Sequence, residues 1–227
     1  MPQITKNNFK FLEALRKNNT KPYFEENKDT YLLHHQEMID FAEALLLELK
    51  KFDEIETLTG KKSLMRIYRD VRFSKDKTPY KTHWGGGFKR AGQNRRGGFY
   101  YHIEKGNSFV GGGFWAPDAK DLLHIRKQIA LDASPMRKVL HSKKFKDYFG
   151  ALEGDKLKSS PKGFDKDHEN IDLLNHKQFI VRHKFTDKEV QEKDFYKKVA
   201  KGFKNMLPFF TVLTNFLTTD LNGESTI

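Results

Sequence analysis

Cysteine is absent from all 227 residues of the chain. The protein therefore has no disulfide framework, no thiolate nucleophile and no zinc or iron–sulfur site built on cysteine ligands. The sequence also lacks an apolar run of about 18 residues, which a membrane-spanning helix would need, and the apolar run of a signal peptide. We therefore expect a cytoplasmic protein with no membrane partner. No residue pattern predicts a metal site or a cofactor, and none indicates an oligomeric state.

Long linkers and internal repeats are absent as well. Hydrophobic residues make up 37% of the chain and include 20 phenylalanines, which is enough apolar surface to build a core. We therefore predict a single domain over residues 1–221, followed by a flexible tail at 222–227.

Hydrophobic periodicity predicts helices at both ends of the chain and strands between them. Helices are expected over residues 8–17 and 20–50, and again after residues 118, 134 and 194. Strands are expected over residues 64–73, 84–89, 99–104 and 108–115, and residues 157–164 and 178–185 look extended. Several strands follow one another without an intervening helix, which favours antiparallel pairing. The predicted fold class is α+β, with a mostly antiparallel sheet packed against the N-terminal and C-terminal helices.

Positive charge is concentrated in one part of the sequence. Residues 61–96 contain 12 lysines and arginines against Asp70 and Asp76, a net charge of +10 within a total of +12. The remaining residues are nearly balanced, with 30 basic and 28 acidic side chains. Like charges placed close together repel one another, so a surface that only promotes solubility would spread them more widely.

The predicted strand 64–73 has two different faces. A period of two puts Arg66, Tyr68 and Arg72 on the exposed face. The core-facing set is Met65, Ile67, Arg69, Val71 and Phe73. Arg69 would then need a partner, because an unpaired charge in a core is costly.

The side chains of the exposed face and of the loop that follows the strand suit phosphate or carboxylate oxygens, since guanidinium and ammonium groups are the usual donors to these oxygens. Either His83 or His102 could serve as a general base, although a packed strand histidine is the commoner case. The candidate ligand-binding residues are Arg66, Tyr68, Arg69, Arg72, Lys75, Lys77, Tyr80, Lys81, His83 and His102. The alternative is a solvated strand edge whose cations discourage pairing with other chains.

Glycine-rich stretches flank this region at residues 85–98 and 111–113. Glycine lets backbone N–H groups approach an anion closely, as in phosphate nests, but a hairpin connection or a β-bulge explains the same residues. Neither stretch matches a nucleotide-binding motif.

Three functions remain open for the basic strip, residues 66–96. It could bind phosphate-bearing ligands, either nucleic acid or a nucleotide. It could belong to an enzyme acting on a small anionic substrate, which predicts a ligand-sized pocket lined by charges of both signs. It could also be a protein-interaction scaffold with an acidic partner.

Several motifs resemble one known family, called domain of unknown function 2461. They are Arg66–Lys81 (RIYRDVRFSKDKTPYK), Gly97–Ile103 (GGFYYHI), Phe109–Pro117 (FVGGGFWAP) and Ser160–His168 (SPKGFDKDH). The resemblance covers essentially the whole chain. It implies one full-length α+β domain in a soluble protein, and it brings no reaction and no catalytic residue with it.

Overall fold

The computed structural model describes residues 2–93 and 95–227, so that Met1 and Asn94, which belongs to the glycine-rich loop, lie outside it. The described residues form ten α-helices and a four-stranded antiparallel sheet, which confirms the α+β prediction. The helices are α1 Lys6–Lys17, α2 Lys21–Glu26, α3 Lys28–Leu49, α4 Gly60–Ser63, α5 Ala119–Leu131, α6 Ser134–His141, α7 Lys143–Phe149, α8 Ile171–Leu174, α9 Asp187–Val190 and α10 Phe195–Thr218. The strands are β1 Trp84–Lys89, β2 Gly98–Ile103, β3 Ser108–Phe114 and β4 Phe179–Phe185, in the order β1-β2-β3-β4. Within the described part of the chain, no helix is both long and apolar enough to span a bilayer.

Local side-chain hydrogen bonds set where the first helices begin and end. Thr5 accepts a hydrogen bond from the backbone of Asn7 and forms a capping box with Asn8, so α1 starts close to its predicted position. The predicted helix 20–50 is divided into α2 and α3 at Asn27, whose side-chain amide donates to the carbonyl of Tyr23 over 2.9 Å. A side chain that bonds its own backbone competes with helix continuation, which accounts for the break.

The predicted strand 64–73 is wrong. This segment contains only isolated bridges, between Leu64 and Gly86 and between Tyr68 and Tyr80. Its partner segment contains Pro79, which has no backbone N–H to donate to a regular ladder. The two segments are therefore held by a few separate hydrogen bonds instead of a continuous strand pair.

The spacing of those hydrogen bonds reveals a bulge. The Met65 N–H donates to the Gly85 carbonyl over 2.9 Å, and the Lys81 N–H donates to the Ile67 carbonyl over 2.7 Å. Two chain positions separate Met65 from Ile67, whereas four separate Lys81 from Gly85. The segment before β1 therefore has two extra residues, 82–83, which bulge out of the pairing.

The predicted core-facing set is wrong at its two ends, whereas Arg66, Tyr68 and Arg72 are exposed as predicted. Ile67 is buried at 3% exposure, but Met65 is 47% exposed and Phe73 is 96% exposed. Arg69 is partly buried and has the partner that its position demands, Asp76. The alternation of less exposed and exposed residues therefore persists from Ile67 to Arg72 and fails at the ends of the segment, where no regular ladder holds it.

The chain folds into two compact units, each with its own aromatic core. Unit 1 contains the residues up to Phe88 together with Tyr100–Val110 and Lys184–Lys201. Its core is built on Phe41, whose ring meets Tyr101 edge-on at 5.6 Å and stacks with Phe195 at 5.8 Å between ring centroids. Each fully buried aromatic of this kind contributes about 1.5–3 kcal/mol to folding.

Unit 2 contains Lys89–Phe99, Gly111–His183 and Gly202–Ile227. In its core the ring of Phe99 lies 4.8 Å from that of Phe203. Helix α10 packs so closely on β3 that a Cβ added to Gly112 would lie 2.7 Å from the sulfur of Met206. A glycine is therefore needed there for helix–sheet packing.

Candidate functional site

A pocket of about 300 Å3 lies in unit 1, the unit that contains residues 66–88 of the basic strip. We call it the cationic pocket; its lining residues are Arg16, Asn19, Arg69, Asp76, Thr78, Tyr80, Lys81, Thr82 and His83. They come from the end of α1 and the residues after it, from the loop 69–78, and from the segment 80–83 that contains the bulge. Charges of both signs line it, which is the feature that the hypothesis of an enzyme acting on a small anionic substrate predicts.

Arg69 organises the loop on one side of the cationic pocket. Its Nη1 donates to Asp76 Oδ2 over 2.6 Å, to the Thr78 carbonyl over 3.0 Å and to the Thr78 hydroxyl. Hydrogen bonds from the backbone and hydroxyl of Thr78, and then from Arg69, lower the pKa of Asp76. Asp76 is therefore ionised at neutral pH, and its charge offsets that of Arg69.

Lys81 places an ammonium group in the same pocket. Its Nζ donates to the carbonyls of Arg66 and Tyr68 over 2.5 Å and 2.6 Å. Burial lowers the pKa of Lys81, and the charges of Arg66 and Arg69 lower it further. An ammonium has three donors, and acceptors among the described residues engage two of them.

Arg16 reaches the pocket from the last turn of α1. Its guanidinium pairs with Glu104 and lies 3.5 Å from the Thr82 hydroxyl. Glu104 also accepts hydrogen bonds from His102 over 3.1 Å and from Asn107 over 2.9 Å. Burial alone would raise the pKa of Glu104, but these hydrogen bonds and the charge of Arg16 bring it below its ordinary value. Glu104 is thus a carboxylate that positions Arg16.

His83 projects from the bulge into the pocket lining. Its ring stacks on that of His102, with 4.2 Å between the centroids and 28° between the planes. The pKa of His83 is lowered to about 4, chiefly by burial. His102, Lys81 and Arg16 also lower this pKa, whereas Glu104 raises it. Within residues 2–93 and 95–227, neither ring nitrogen of His83 has a hydrogen-bond partner. His83 is therefore a neutral imidazole at pH 7, with both nitrogens available to a bound molecule.

His102 supports this arrangement from β2. The period of two puts Tyr100, His102 and Glu104 on one face, where Tyr100 Oη lies 3.1 Å from His102 Nδ1. His102 Nε2 donates to the Glu104 carboxylate, and in the neutral imidazole Nδ1 then accepts from the Tyr100 hydroxyl. His102 is buried at 8% exposure and does not line the pocket. It holds the ring of His83 and the carboxylate of Glu104 in place.

Tyr80 and Asn19 join the bulged segment to the residues after α1. The Asn19 amide donates to the Tyr80 carbonyl over 2.9 Å, and the Tyr80 N–H donates to the Asn19 side-chain oxygen over 3.0 Å. The ring of Tyr80 is buried against Phe24 at 4.1 Å, and burial, followed by the influence of Tyr68, raises the pKa of its hydroxyl. The Asn19 side chain therefore pairs with the backbone of Tyr80 as the backbone of a neighbouring strand would.

The predicted site residues separate into two groups. Those that line the cationic pocket are Arg69, Tyr80, Lys81 and His83. Those that do not line it are Arg66, Tyr68, Arg72, Lys75, Lys77 and His102. In the second group, Arg72 holds Asp70 with two hydrogen bonds of 2.7 Å and 3.0 Å, and Lys77 donates to the Val71 carbonyl over 2.9 Å.

Sequence reasoning missed Arg16, Asn19 and Glu104. Glu104 could have been found, because it continues the alternation of Tyr100 and His102 along β2. Arg16 and Asn19 lie more than 60 positions before the residues that they contact, and no local pattern links them.

The second half of the basic strip has a different environment. Arg90 belongs to unit 2, is buried at 8% exposure, donates to the Arg96 carbonyl over 2.9 Å and lies 5.0 Å from the ring of Phe210. Arg96 pairs with Asp121 in the same unit.

The glycine-rich stretch at residues 111–113 also lies close to other parts of the protein. The φ of Gly113 is +127°, and a Cβ added there would lie 2.0 Å from the Phe179 carbonyl. These positions are explained by packing.

Comparison with known proteins identifies the family but no characterised relative. Neither the curated proteins nor the solved structures include a match to this chain. One family model matches residues 7–211, which cover the cationic pocket and all four strands. The chain therefore belongs to the family described as conserved hypothetical protein (DUF2461), as its motifs predicted.

Proposed function

We propose that the cationic pocket binds a small molecule through a phosphate or carboxylate group. The observation that carries this proposal is the convergence of Arg16, Arg69 and Lys81, from three separate parts of the chain, on one pocket. Asp76 offsets the charge of Arg69, Glu104 offsets that of Arg16, and His83 is neutral at pH 7, so the site keeps an excess of one positive charge, on Lys81. This excess would attract an anion.

The size and donors of the pocket favour a compact ligand. Its volume of about 300 Å3 is at the lower end of the range for small-molecule sites. A guanidinium, an ammonium and the hydroxyls of Thr78 and Thr82 are donors suited to the oxygens of a phosphate or carboxylate. A nucleoside monophosphate is the phosphate-bearing ligand that we would test first.

His83 favours an enzyme as the second candidate function. A neutral imidazole beside a bound anion can accept a proton from an O–H or N–H group of that ligand, as general bases do. The low pKa of His83, about 4, makes it a weak base in the empty pocket. A bound anion would raise the pKa by favouring the charged form.

The experiment is isothermal titration calorimetry with sulfate, phosphate, a nucleoside monophosphate and a dicarboxylate. The variant Arg16→Gln should weaken binding at least about tenfold, because a charge-assisted hydrogen bond is lost. The matched control is Lys10→Gln, which removes the same charge from an exposed position of the same helix outside the pocket. Absence of binding for every anion, or equal losses in both variants, would contradict the proposal.

Sulfate provides a test of His83, because it remains a dianion throughout mildly acidic conditions. Its affinity should increase as the pH falls from about 7 to about 5, since binding draws a proton onto His83. The variant His83→Gln should lose this increase and keep the affinity measured at pH 7. A wild-type affinity that does not change with pH would be compatible with the anion site but would show that His83 takes no part in binding.

A further inference from the structure

Phe73 is the most exposed large hydrophobic residue that the structure describes. Its side chain is 96% exposed, compared with 54% for Tyr68. A phenyl ring in water forfeits about 1.5–3 kcal/mol that burial would provide. Neither the core nor the cationic pocket uses this ring, so its exposure needs another explanation.

The loop that carries Phe73 is held in place by its own hydrogen bonds. The Lys77 ammonium donates to the Val71 carbonyl over 2.9 Å, and the Ser74 N–H donates to the same carbonyl over 3.3 Å. Asp76 accepts from the Thr78 N–H over 2.9 Å. The ring is therefore presented by an ordered loop, and a partner would lose less conformational entropy on binding it.

The surroundings of Phe73 are cationic. The Arg72 guanidinium lies 5.9 Å from the centre of the ring and its side chain is 76% exposed. Arg66 and Lys75 are also exposed. The two acids of the segment, Asp70 and Asp76, are already bonded to Arg72 and Arg69. The surface therefore combines aromatic faces with positive charge.

We propose that this surface binds single-stranded nucleic acid. We call it the aromatic tip; its residues are Arg66, Tyr68, Arg72, Phe73, Lys75 and Lys77. Phe73 stacks on a base while the exposed cations contact phosphates, the combination that sequence-tolerant single-strand binding uses.

A lipid surface fits the aromatic tip less well. Phe73 and Tyr68, at 96% and 54% exposure, are the large hydrophobic side chains of the aromatic tip. Stable association with a membrane requires more buried apolar area than two side chains provide. A base offers Phe73 a face of its own size, and the phosphates complement Arg72 and Lys75.

The aromatic tip goes beyond the pocket proposal and does not depend on it. None of its residues lines the cationic pocket. Failure of one proposal would therefore leave the other standing, provided that small anions and oligonucleotides are titrated separately.

The test is fluorescence anisotropy of a labelled oligothymidylate, titrated with the full chain. The variant Phe73→Ala should weaken binding about 5- to 150-fold, the range for loss of one stacked base. Phe73→Tyr should retain binding, because the ring face is preserved. Both variants should fold, since the side chain is exposed. The matched control is Leu58→Ala, which removes another exposed hydrophobic side chain of unit 1, at 77% exposure.

Salt dependence tests the cations. Arg72→Gln should lower the slope of log K against log salt by about 0.7, the value for one phosphate contact on a single strand. Lys10→Gln, which removes an exposed cation outside both the cationic pocket and the aromatic tip, should leave the slope unchanged. The proposal is overturned if wild type fails to bind at low salt, if Phe73→Ala and Leu58→Ala have equal effects, or if Phe73 is needed for capture of anionic vesicles and not of oligonucleotides.

Discussion

Arg69 and Arg90 belong to the same basic strip but differ in what surrounds them. Arg69, in unit 1, lines a pocket together with Lys81 and Arg16, and its partners Asp76 and Thr78 lie in a surface loop. Arg90, in unit 2, is buried at 8% exposure, where it donates to a backbone carbonyl and covers the ring of Phe210. One cation lines a pocket at the surface, and the other is part of the packing.

The difference between the two arginines shows that charge density along the sequence does not by itself mark a binding surface. In the second half of the strip Arg90 and Arg96 have acceptors within their own unit, and the glycines of β1 make room for tyrosine side chains. In the first half, several cations remain at the surface beyond those that hold Asp70 and Asp76. The proposed anion binding therefore depends on residues 66–83 and on Arg16.

The largest effect is expected for a glycine of the strip. A Cβ added at Gly86 would lie 2.4 Å from the hydroxyl of Tyr101, which is fully buried and cannot move aside. Gly86→Ala should therefore lower the free energy of unfolding by about 3 kcal/mol or more, measured by urea denaturation. The control is Gly92→Ala, where φ is +75° but no atom lies within 4 Å, so only about 1–2 kcal/mol of backbone strain is expected. Equal losses would mean that packing at Gly86 is unimportant.

Arg90→Ala should give the next largest loss. Removing the side chain leaves the Arg96 carbonyl without this donor and opens a void over Phe210. We expect a decrease of about 2–4 kcal/mol in the free energy of unfolding. Arg69→Ala, measured in the same way, should cost less, because its partners lie in a surface loop. A larger loss for Arg69 would reverse the comparison between the two arginines.

The pH dependence of stability should depend on His83. Its pKa in the folded state is about 4, below the ordinary value of about 6.5, so the unfolded chain takes up a proton first as the pH falls. The contribution of His83 to the free energy of unfolding is present above pH 6.5 and is lost progressively as the pH falls to about 4. The melting temperature should therefore decrease between pH 7 and pH 5, and it should decrease less in His83→Gln.

His176 must be considered in that measurement, because burial also lowers its pKa to about 4. Part of the decrease should therefore remain in His83→Gln and disappear when His176 is replaced as well. Identical melting profiles for wild type and His83→Gln would show that His83 is solvated in the folded protein.

The smallest effect on stability is expected for Arg72→Gln. Its side chain and that of Asp70 are both largely exposed, and exposed ion pairs contribute little to folding. The melting temperature should not change measurably, although the salt dependence of oligonucleotide binding should. A clear decrease in melting temperature would mean that Arg72 is structural, as Arg90 is.

Local patterns predicted those parts of the fold that depend on consecutive residues. The β2–β3 hairpin lies close to where its strand pattern and turn residues predicted it, and β1 coincides with the short run predicted at residues 84–89. The segment 64–73 has a similar composition, but Pro79 and the bulge at residues 82–83 prevent a regular ladder. Alternation could not reveal this, because the interruption lies in the partner segment.

The sequence by itself determined the fold class, the family and the concentration of positive charge at residues 61–96, since composition and short-range periodicity are properties of neighbouring residues. Only the tertiary structure decided which of these cations share a pocket, which are buried and which surround Phe73. Arg16 meets Thr82 across 66 positions and Glu104 across 88 positions of the chain. Contacts of that range depend on how the helices and strands pack, and no local pattern encodes them.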